Sequence, residues 1–144
     1  LMQQEGFDAE ALQDLLYKRS GLLGLSGISN DMRALHASEE ARARTAIDYF
    51  VYRIGQNLGS LCAALGGIDA LVFTAGIGEN SALVRETACR GLEILGIALD
   101  PDKNHAPRNA GAAIERAGAA VRVLVIPTNE EIEIARQTLD NISR

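Results

Sequence analysis

Gly76-Ile77-Gly78-Glu79-Asn80 is the first place in this chain where residue types and spacing could do chemistry. The segment follows the apolar run from Asp69 to Thr74 and precedes a helical pattern. Two positions without side chains therefore fall where a strand passes into a helix, and bare backbone N–H groups there let a nucleotide approach. The structural alternative is glycine that only lets the helix pack close to the sheet. A second candidate is Glu130, at the tip of another strand–helix turn, Ile126-Pro127-Thr128-Asn129-Glu130-Glu131. Thr128 as N-cap and Glu131 at the third helical position form a capping box, which leaves Glu130 to point elsewhere. An exposed acid beside a phosphate could hold Mg²⁺ directly or through water; the plainer role is a partner for the helix dipole. The third candidate is Ser29-Asn30-Asp31-Met32-Arg33, with Asp31 as an N-cap and Arg33 offering a planar fork to a base. His36 and His105 lie in unrelated contexts, and the sequence shows no serine–histidine–acid arrangement or metal cluster.

The elements that must position these residues can be read from periodicity. Residues 7–17 hold Leu12, Leu15 and Leu16 at helical spacing behind Asp8 as N-cap. Residues 18–31 combine glycines and serines with Leu22, Leu23, Leu25 and Ile28, which predicts an ordered loop with buried apolar anchors. One helical turn is expected over 31–36. From Ser38, apolar residues recur every three or four positions through Ile47, Phe50, Val51, Ile54, Leu58, Leu61, Cys62 and Leu65. Glu39 and Glu40 fall in the first turn of this helix and Gly66-Gly67 ends it, giving about 28 residues and roughly 42 Å. Gly55 and Gly59 on it read as a site of close backbone packing.

Residues 69–74 predict a central strand covered on both faces. Leu83, Val84, Ala88, Leu92 and Leu95 mark a helix ending at Gly96, followed by an extended segment at 97–100, a loop over 101–111 and a short edge strand at 112–114. Val121 to Ile126 is a second buried strand. Ile132, Ile134, Ala135 and Leu139 mark the inward face of a last helix. The fold class is therefore α/β: a long helix, then strand–helix–strand–helix, with both turns at one edge of the sheet.

Composition narrows the function classes. The 144 residues suffice for one domain with a real core. A net charge of -5 with no basic run argues against nucleic acid, and 4% aromatic content argues against base-stacking platforms. No apolar run approaches the roughly 20 residues that span a bilayer. The start at Leu1 has no signal peptide, and Cys62 and Cys89 read as reduced thiols, so a cytoplasmic domain is expected. The start at Leu1 within a helical pattern, without an initiator Met, is read as the mark of a fragment.

Residue patterns alone leave three readings open. One is the nucleotide-binding half of a phosphotransferase. Another is a Rossmann dinucleotide domain, with Asp100 lying 24 residues beyond Gly76 as the ribose-binding acid; against it stand Ser81 in place of a third glycine and Glu79 in the turn that would cradle pyrophosphate. The last is a helical interaction module built on the long helix.

Three stretches together resemble the acetate kinase family, which includes propionate kinases. They are Ser20 to Arg33 (SGLLGLSGISNDMR), Phe73 to Asn80 (FTAGIGEN) and Ile126 to Glu131 (IPTNEE), in the family's order. The resemblance implies a partial ribonuclease-H-like domain of the acetate and sugar kinase, Hsp70 and actin superfamily. It implies transfer of phosphate between ATP and a short-chain carboxylate, with ATP/ADP and Mg²⁺ as cofactors. By motif, Asp31, Met32 and Arg33 resemble the adenosine-contacting segment, with Met32 where many members have Phe. Gly76, Ile77, Gly78 and Asn80 resemble the turn lying against the nucleotide, and Glu130 the magnesium-associated glutamate. The adenosine role removes the objection from Glu79. The resemblance covers the last third or so of such an enzyme, so residues 1–144 are expected to be the C-terminal nucleotide-binding part of one domain. The N-terminal catalytic domain is expected to lie outside the chain, no catalytic residue is assigned within it, and the chain alone is expected to be inactive. An unpaired sheet edge and a homodimer are expected as well.

Overall fold

The computed structural model describes residues 5–106 and 111–142. Residues 107–110 of the expected loop lie outside them. The chain falls into two compact units, Leu1–Leu58 and Gly59–Arg144.

The first unit is helical. Asp8 caps α1 (Ala9–Asp14) by accepting from the Ala11 N–H at 2.7 Å, as its position predicts, and the helix runs on into a π-turn over Leu15–Arg19. The expected loop after it contains a helix, α2 (Gly21–Ser26), closed by Gly27 in the left-handed region. Its buried residue is Ser26, while Leu25 is exposed and Leu22 and Ile28 are half-buried. Ser26 wins the inside position because its hydroxyl accepts from the Ile28 and Ser29 N–H groups, closing the turn that a leucine could not close. α3 (Met32–Ala37) starts at the Asp31 cap. Leu35, Ala43 and Ala46 form the core of this unit, with Leu22, Ile28 and Ile47 against it.

The long helix α4 (Ala41–Leu65) begins three residues after the expected Ser38. The Ser38 hydroxyl accepts from the Glu40 N–H, and Glu39 and Glu40 precede the first turn instead of occupying it. Gly66 and Gly67, both at positive φ, end the helix as expected, with the Gly67 N–H returning to the Cys62 carbonyl at 2.9 Å. A methyl group at Gly55 or Gly59 would meet nothing within 4 Å, so neither glycine marks the close contact foreseen.

The second unit holds a three-stranded sheet in the order β1-β3-β2, from β1 (Ala70–Phe73), β2 (Ala112–Ala113) and β3 (Arg122–Val125). β1 runs parallel to β3, with Leu71 beside Val123 and Phe73 beside Val125; β2 runs antiparallel on the other side. The central strand is therefore β3, and β1 is an edge among the described strands, with Val72 46% exposed. The apolar run at 69–74 predicted the strand correctly but not its place, because period alone cannot tell how many neighbours a strand has.

Between β1 and β2 lie α5 (Ala75–Asn80), α6 (Ala82–Cys89), a 3₁₀ turn (Glu93–Leu95) and α7 (Pro101–His105). The single helix expected from Leu83 to Leu95 is broken at Gly91, which takes φ +83°. α7 replaces part of the expected loop: Asp100 accepts from the Lys103 N–H and Pro101 holds the first helical position. Asp100 is thus committed as a cap, and Leu99 makes only an isolated bridge to Glu115. No second βαβ unit with a ribose-binding acid forms there, and the Rossmann reading loses its support.

Phe73, Cys89, Ile97, Ile114, Val121, Val123 and Val125 make the core of the second unit. Each Phe, Ile or Val among them contributes about 1.5–3 kcal/mol on full burial. The last helix, α8 (Glu130–Ile142), has no buried residue, and Ile132, Ile134 and Leu139 are each more than half exposed. The inward face read from the sequence is therefore outward here: amphipathic spacing says which face is apolar, not what covers it. Among the described residues no helix is long and apolar enough to cross a membrane.

Both cysteines are free and buried. Burial, aided by the nearby Glu93 charge, pushes the Cys89 thiol up to about 12, against a smaller opposing pull from Arg85. The stability this contributes is present at neutral pH and drains away as pH rises toward that value. At pH 8 the thiolate is scarce and shielded, so Cys89 should stay unmodified by a thiol-reactive dye in the native chain and react fully in denaturant. Native-state labelling at a rate near that of a free thiol would contradict this placement.

Candidate functional site

Gly76, Ile77 and Gly78 do not form an open loop. They are part of α5, a six-residue helix that leaves β1 through Ala75 in the left-handed region at φ 57°. Gly78 answers to packing: a methyl group there would lie 3.3 Å from the Phe73 carbonyl carbon, so the absent side chain lets α5 sit on the end of β1. Gly76 answers to nothing in the protein, for a methyl group would meet no atom within 4 Å. The structural alternative thus explains one glycine and leaves the other open to solvent. Ile77 is half-buried, and the Asn80 amide is turned back onto its own helix, donating to the Gly76 carbonyl at 2.8 Å.

The Glu79 carboxylate does not crowd this turn. Its Oε1 accepts from the Thr128 N–H at 2.9 Å and from the Thr128 hydroxyl at 3.1 Å. The Thr128 backbone N–H, chiefly, holds the Glu79 carboxyl below the usual carboxylate range. A parallel tie joins the strand ends, where the Thr74 hydroxyl donates to the Ile126 carbonyl at 2.9 Å. Because Thr128 is engaged here, the expected capping box is not formed. Asn129 caps α8 instead, accepting from the Ile132 N–H at 3.0 Å.

Beneath α5 sits Arg85, 2% exposed. Its Nη1 donates to the Gly78 and Glu79 carbonyls at 2.8 and 2.9 Å, and its Nε and Nη2 donate to the Asn104 side-chain and backbone oxygens at 2.8 and 2.9 Å. Asn104, also buried, donates to the Ala82 carbonyl. Sequence reasoning passed over both residues. The signal for Arg85 was available: Ser81, Val84, Arg85 and Ala88 share one helix face at i, i+3, i+4 and i+7, which places a cation on the buried side.

In the first unit the Asp31 carboxylate accepts from the Arg33 N–H at 2.8 Å and receives the Arg33 guanidinium at 3.0 and 3.3 Å. That side-chain bond is the main reason Asp31 lies below its ordinary range and Arg33 above its own. The Arg33 side chain, 91% exposed, is a fork steadied along one edge with both faces free for stacking. Met32, read from the sequence as an adenosine contact, is 4% exposed, which leaves only its backbone for such a role. A hollow of about 520 Å³ in this unit is lined by Asp14, Tyr17, Lys18 and Arg19 and includes none of these residues.

Glu130 stands at the first position of α8, exposed, two residues beyond Thr128. Among the described residues no three His, Cys, Asp or Glu side chains gather as a metal cage. A lone carboxylate still fits Mg²⁺, which keeps several waters and takes one or two carboxylates together with substrate phosphates. In the second unit Asn80 bonds to Gly76 and Thr128 to Glu79, while Asp31, Met32 and Arg33 belong to the first.

The strand-end turn at Gly76 sits on a mixed α/β fold, and comparison with known proteins gives its lineage. The chain belongs to the acetokinase family, whose model matches residues 1–136. It is 51% identical over 139 residues to the acetate kinase of Nitrobacter hamburgensis, covering 96% of this chain and 34% of that protein. The acetate kinase of Rhizobium meliloti is 52% identical over 143 residues, covering 99% and 36%. The crystal structure of Porphyromonas gingivalis acetate kinase superposes with a TM-score of 0.87 at 39% identity, over 97% of this chain and 36% of that one. A propionate kinase from Francisella tularensis gives 0.79 at 36% identity, over 93% and 34%. The chain therefore spans about a third of the length of these relatives. The shared fold agrees with the partial ribonuclease-H-like domain expected from the sequence.

Proposed function

We propose that this chain is the adenosine-binding, C-terminal part of an ATP-dependent phosphotransferase acting on a short-chain carboxylate, acetate or propionate. The observation that carries the reading is the turn at Gly76. A methyl group there would meet no described atom within 4 Å, the neighbouring Glu79 and Arg85 side chains are engaged away from it, and the Asn80 amide steadies it by donating to the Gly76 carbonyl. Adenosine lies against Gly76, Ile77, Gly78 and Asn80 of the second unit; within the first unit, the resemblance alone assigns Asp31, Met32 and Arg33 a nucleotide-contacting role. Glu130 takes Mg²⁺, which when bound neutralises charge on the nucleotide phosphates. The groups that stabilise the transferring phosphoryl and the carboxylate pocket lie outside this chain. Phosphoryl transfer depends on positioning and charge stabilisation, so the chain alone should not turn over. The whole enzyme works in the cytoplasm as a homodimer; the unpaired outer side of β1 is consistent with pairing between copies.

The test is a graft. The chain replaces the corresponding third of the Nitrobacter hamburgensis acetate kinase, and acetyl phosphate formation from ATP and acetate is measured. The chimera should be active, the 144-residue chain alone inactive, and Glu130→Ala in the chimera should lower kcat about 100-fold. A folded chimera that binds ADP but makes no acyl phosphate would sink the kinase reading. Turnover by the isolated chain would overturn the division of the site.

A further inference from the structure

We propose that Glu79 is a positioning residue that couples the nucleotide turn to the metal turn. In this role the Glu79–Thr128 bond lets ADP at Gly76–Asn80 and a divalent cation at Glu130 sense each other. The inference rests on the adenosine reading above and goes beyond it by assigning a role to a side chain that touches neither ligand.

Residue 79 is gripped at both ends. Its carbonyl accepts from Arg85 at 2.9 Å, and its carboxylate accepts two bonds from Thr128, 49 residues away in the chain. α5 therefore cannot shift without pulling on Thr128, and Thr128 is two residues before Glu130 and one before Asn129, the cap that starts α8. The adjacent Thr74–Ile126 bond joins main chain to side chain at the strand ends, but it sits before both turns and does not reach either ligand-bearing segment. A single carboxylate accepting both an N–H and an O–H from one residue fixes orientation as well as distance. Those bonds also favour the ionised form of Glu79, so the tie persists through the neutral range and fails only as pH falls below the ordinary carboxylate range. Glu79 itself need not face the ligand; its Oε1 is taken up by Thr128.

The test uses the ¹⁵N-labelled chain, with ADP titrated in EDTA and in MgCl₂. In the wild type, ADP should move the amide signals of Gly76 to Asn80 and, with the same apparent Kd, those of Thr128 to Glu130. MgCl₂ should tighten ADP about fivefold, the lower end of ordinary site–site coupling. In Glu79→Ala, which removes both bonds, the first set of shifts should remain, the second should vanish, and the MgCl₂ effect should fall toward unity; Thr128→Val, which loses only the hydroxyl bond, should weaken the second set. Thr128→Ser, which keeps the hydroxyl, and Glu79→Gln, whose amide oxygen still accepts, should retain both. Unchanged transmission in Glu79→Ala would overturn the coupling while leaving the adenosine reading intact. Silence at Gly76 to Asn80 in the wild type would overturn that reading and the coupling with it. Unfolding of Glu79→Ala and Thr128→Val, seen as loss of the β1–β3 amide signals, would make the pair a fold element only and overturn the proposal as well.

Discussion

Arg85→Ala should cost the second unit about 3 kcal/mol, read as a fall in the urea midpoint at unchanged slope. The side chain is 2% exposed and makes four hydrogen bonds of 2.8–2.9 Å, two of them to the Gly78 and Glu79 carbonyls near the C-terminal end of α5. Those carbonyls have no partner within so short a helix and would be left desolvated. A hydrogen bond to a charged group is worth about 1.5–3 kcal/mol, and several act together here, offset by the cost of burying the cation. Since a domain holds only about 5–15 kcal/mol in all, the variant should lie near the edge of folding at 37 °C. Arg85→Met, which keeps the apolar stem, separates lost packing from lost bonds and should recover little. Arg85→Lys should recover part, because an ammonium reaches one carbonyl but cannot span both α5 and Asn104. A loss below about 1 kcal/mol for the alanine variant would mean that water replaces the guanidinium at no cost, contrary to its burial.

Gly96→Ala should be nearly as damaging, again about 3 kcal/mol, for a different reason. Gly96 ends the 3₁₀ turn at φ +81°, and a methyl group there would stand 2.9 Å from the Ala120 Cβ and 3.3 Å from the Val121 Cγ2. Ala120 cannot swing aside, since its Cβ is fixed to the backbone, and Gly96 accepts the Val121 N–H at 3.1 Å, which pins the two segments together. The left-handed backbone alone costs an ordinary residue about 1–2 kcal/mol, and overpacking adds about 1–3. Gly118 supplies the control. It has the same φ of +81° with open space around it, so Gly118→Ala should lose only about 1 kcal/mol. Equal losses at the two sites in thermal or urea unfolding would show that the Ala120 contact relaxes freely, and the packing argument would fall.

Local signals were legible in the sequence and non-local ones were not. Asp8 and Asp31 act as the N-caps their positions announce, and Gly66-Gly67 ends α4 where the periodicity stops. Both candidate turns, at Gly76–Asn80 and at Ile126–Glu131, were visible as strand–turn–helix joins. Thr128 was misassigned for a physical reason: a capping box is a contest between hydrogen-bond partners, and Glu79, far off in sequence, outbids Glu131. Likewise nothing in Leu71-Val72-Phe73 states that β1 has one neighbour and β3 two. The α8 stripe was read correctly as apolar and wrongly as inward, because an amphipathic pattern carries no address. Asp100-Pro101, by contrast, was a legible helix start read as a loop, since asparagine and proline nearby drew the weight.

Arg85 recognises the α5 turn through main-chain oxygens and not through any side chain of that turn. Backbone carbonyls are the one feature that substitution leaves untouched. The path of the chain at Gly78 and Glu79 is thus insured separately from the side chains of that turn. Side chains such as Ile77 can be exchanged without re-solving the shape of the support, a division of labour that makes the turn open to retuning by single substitutions.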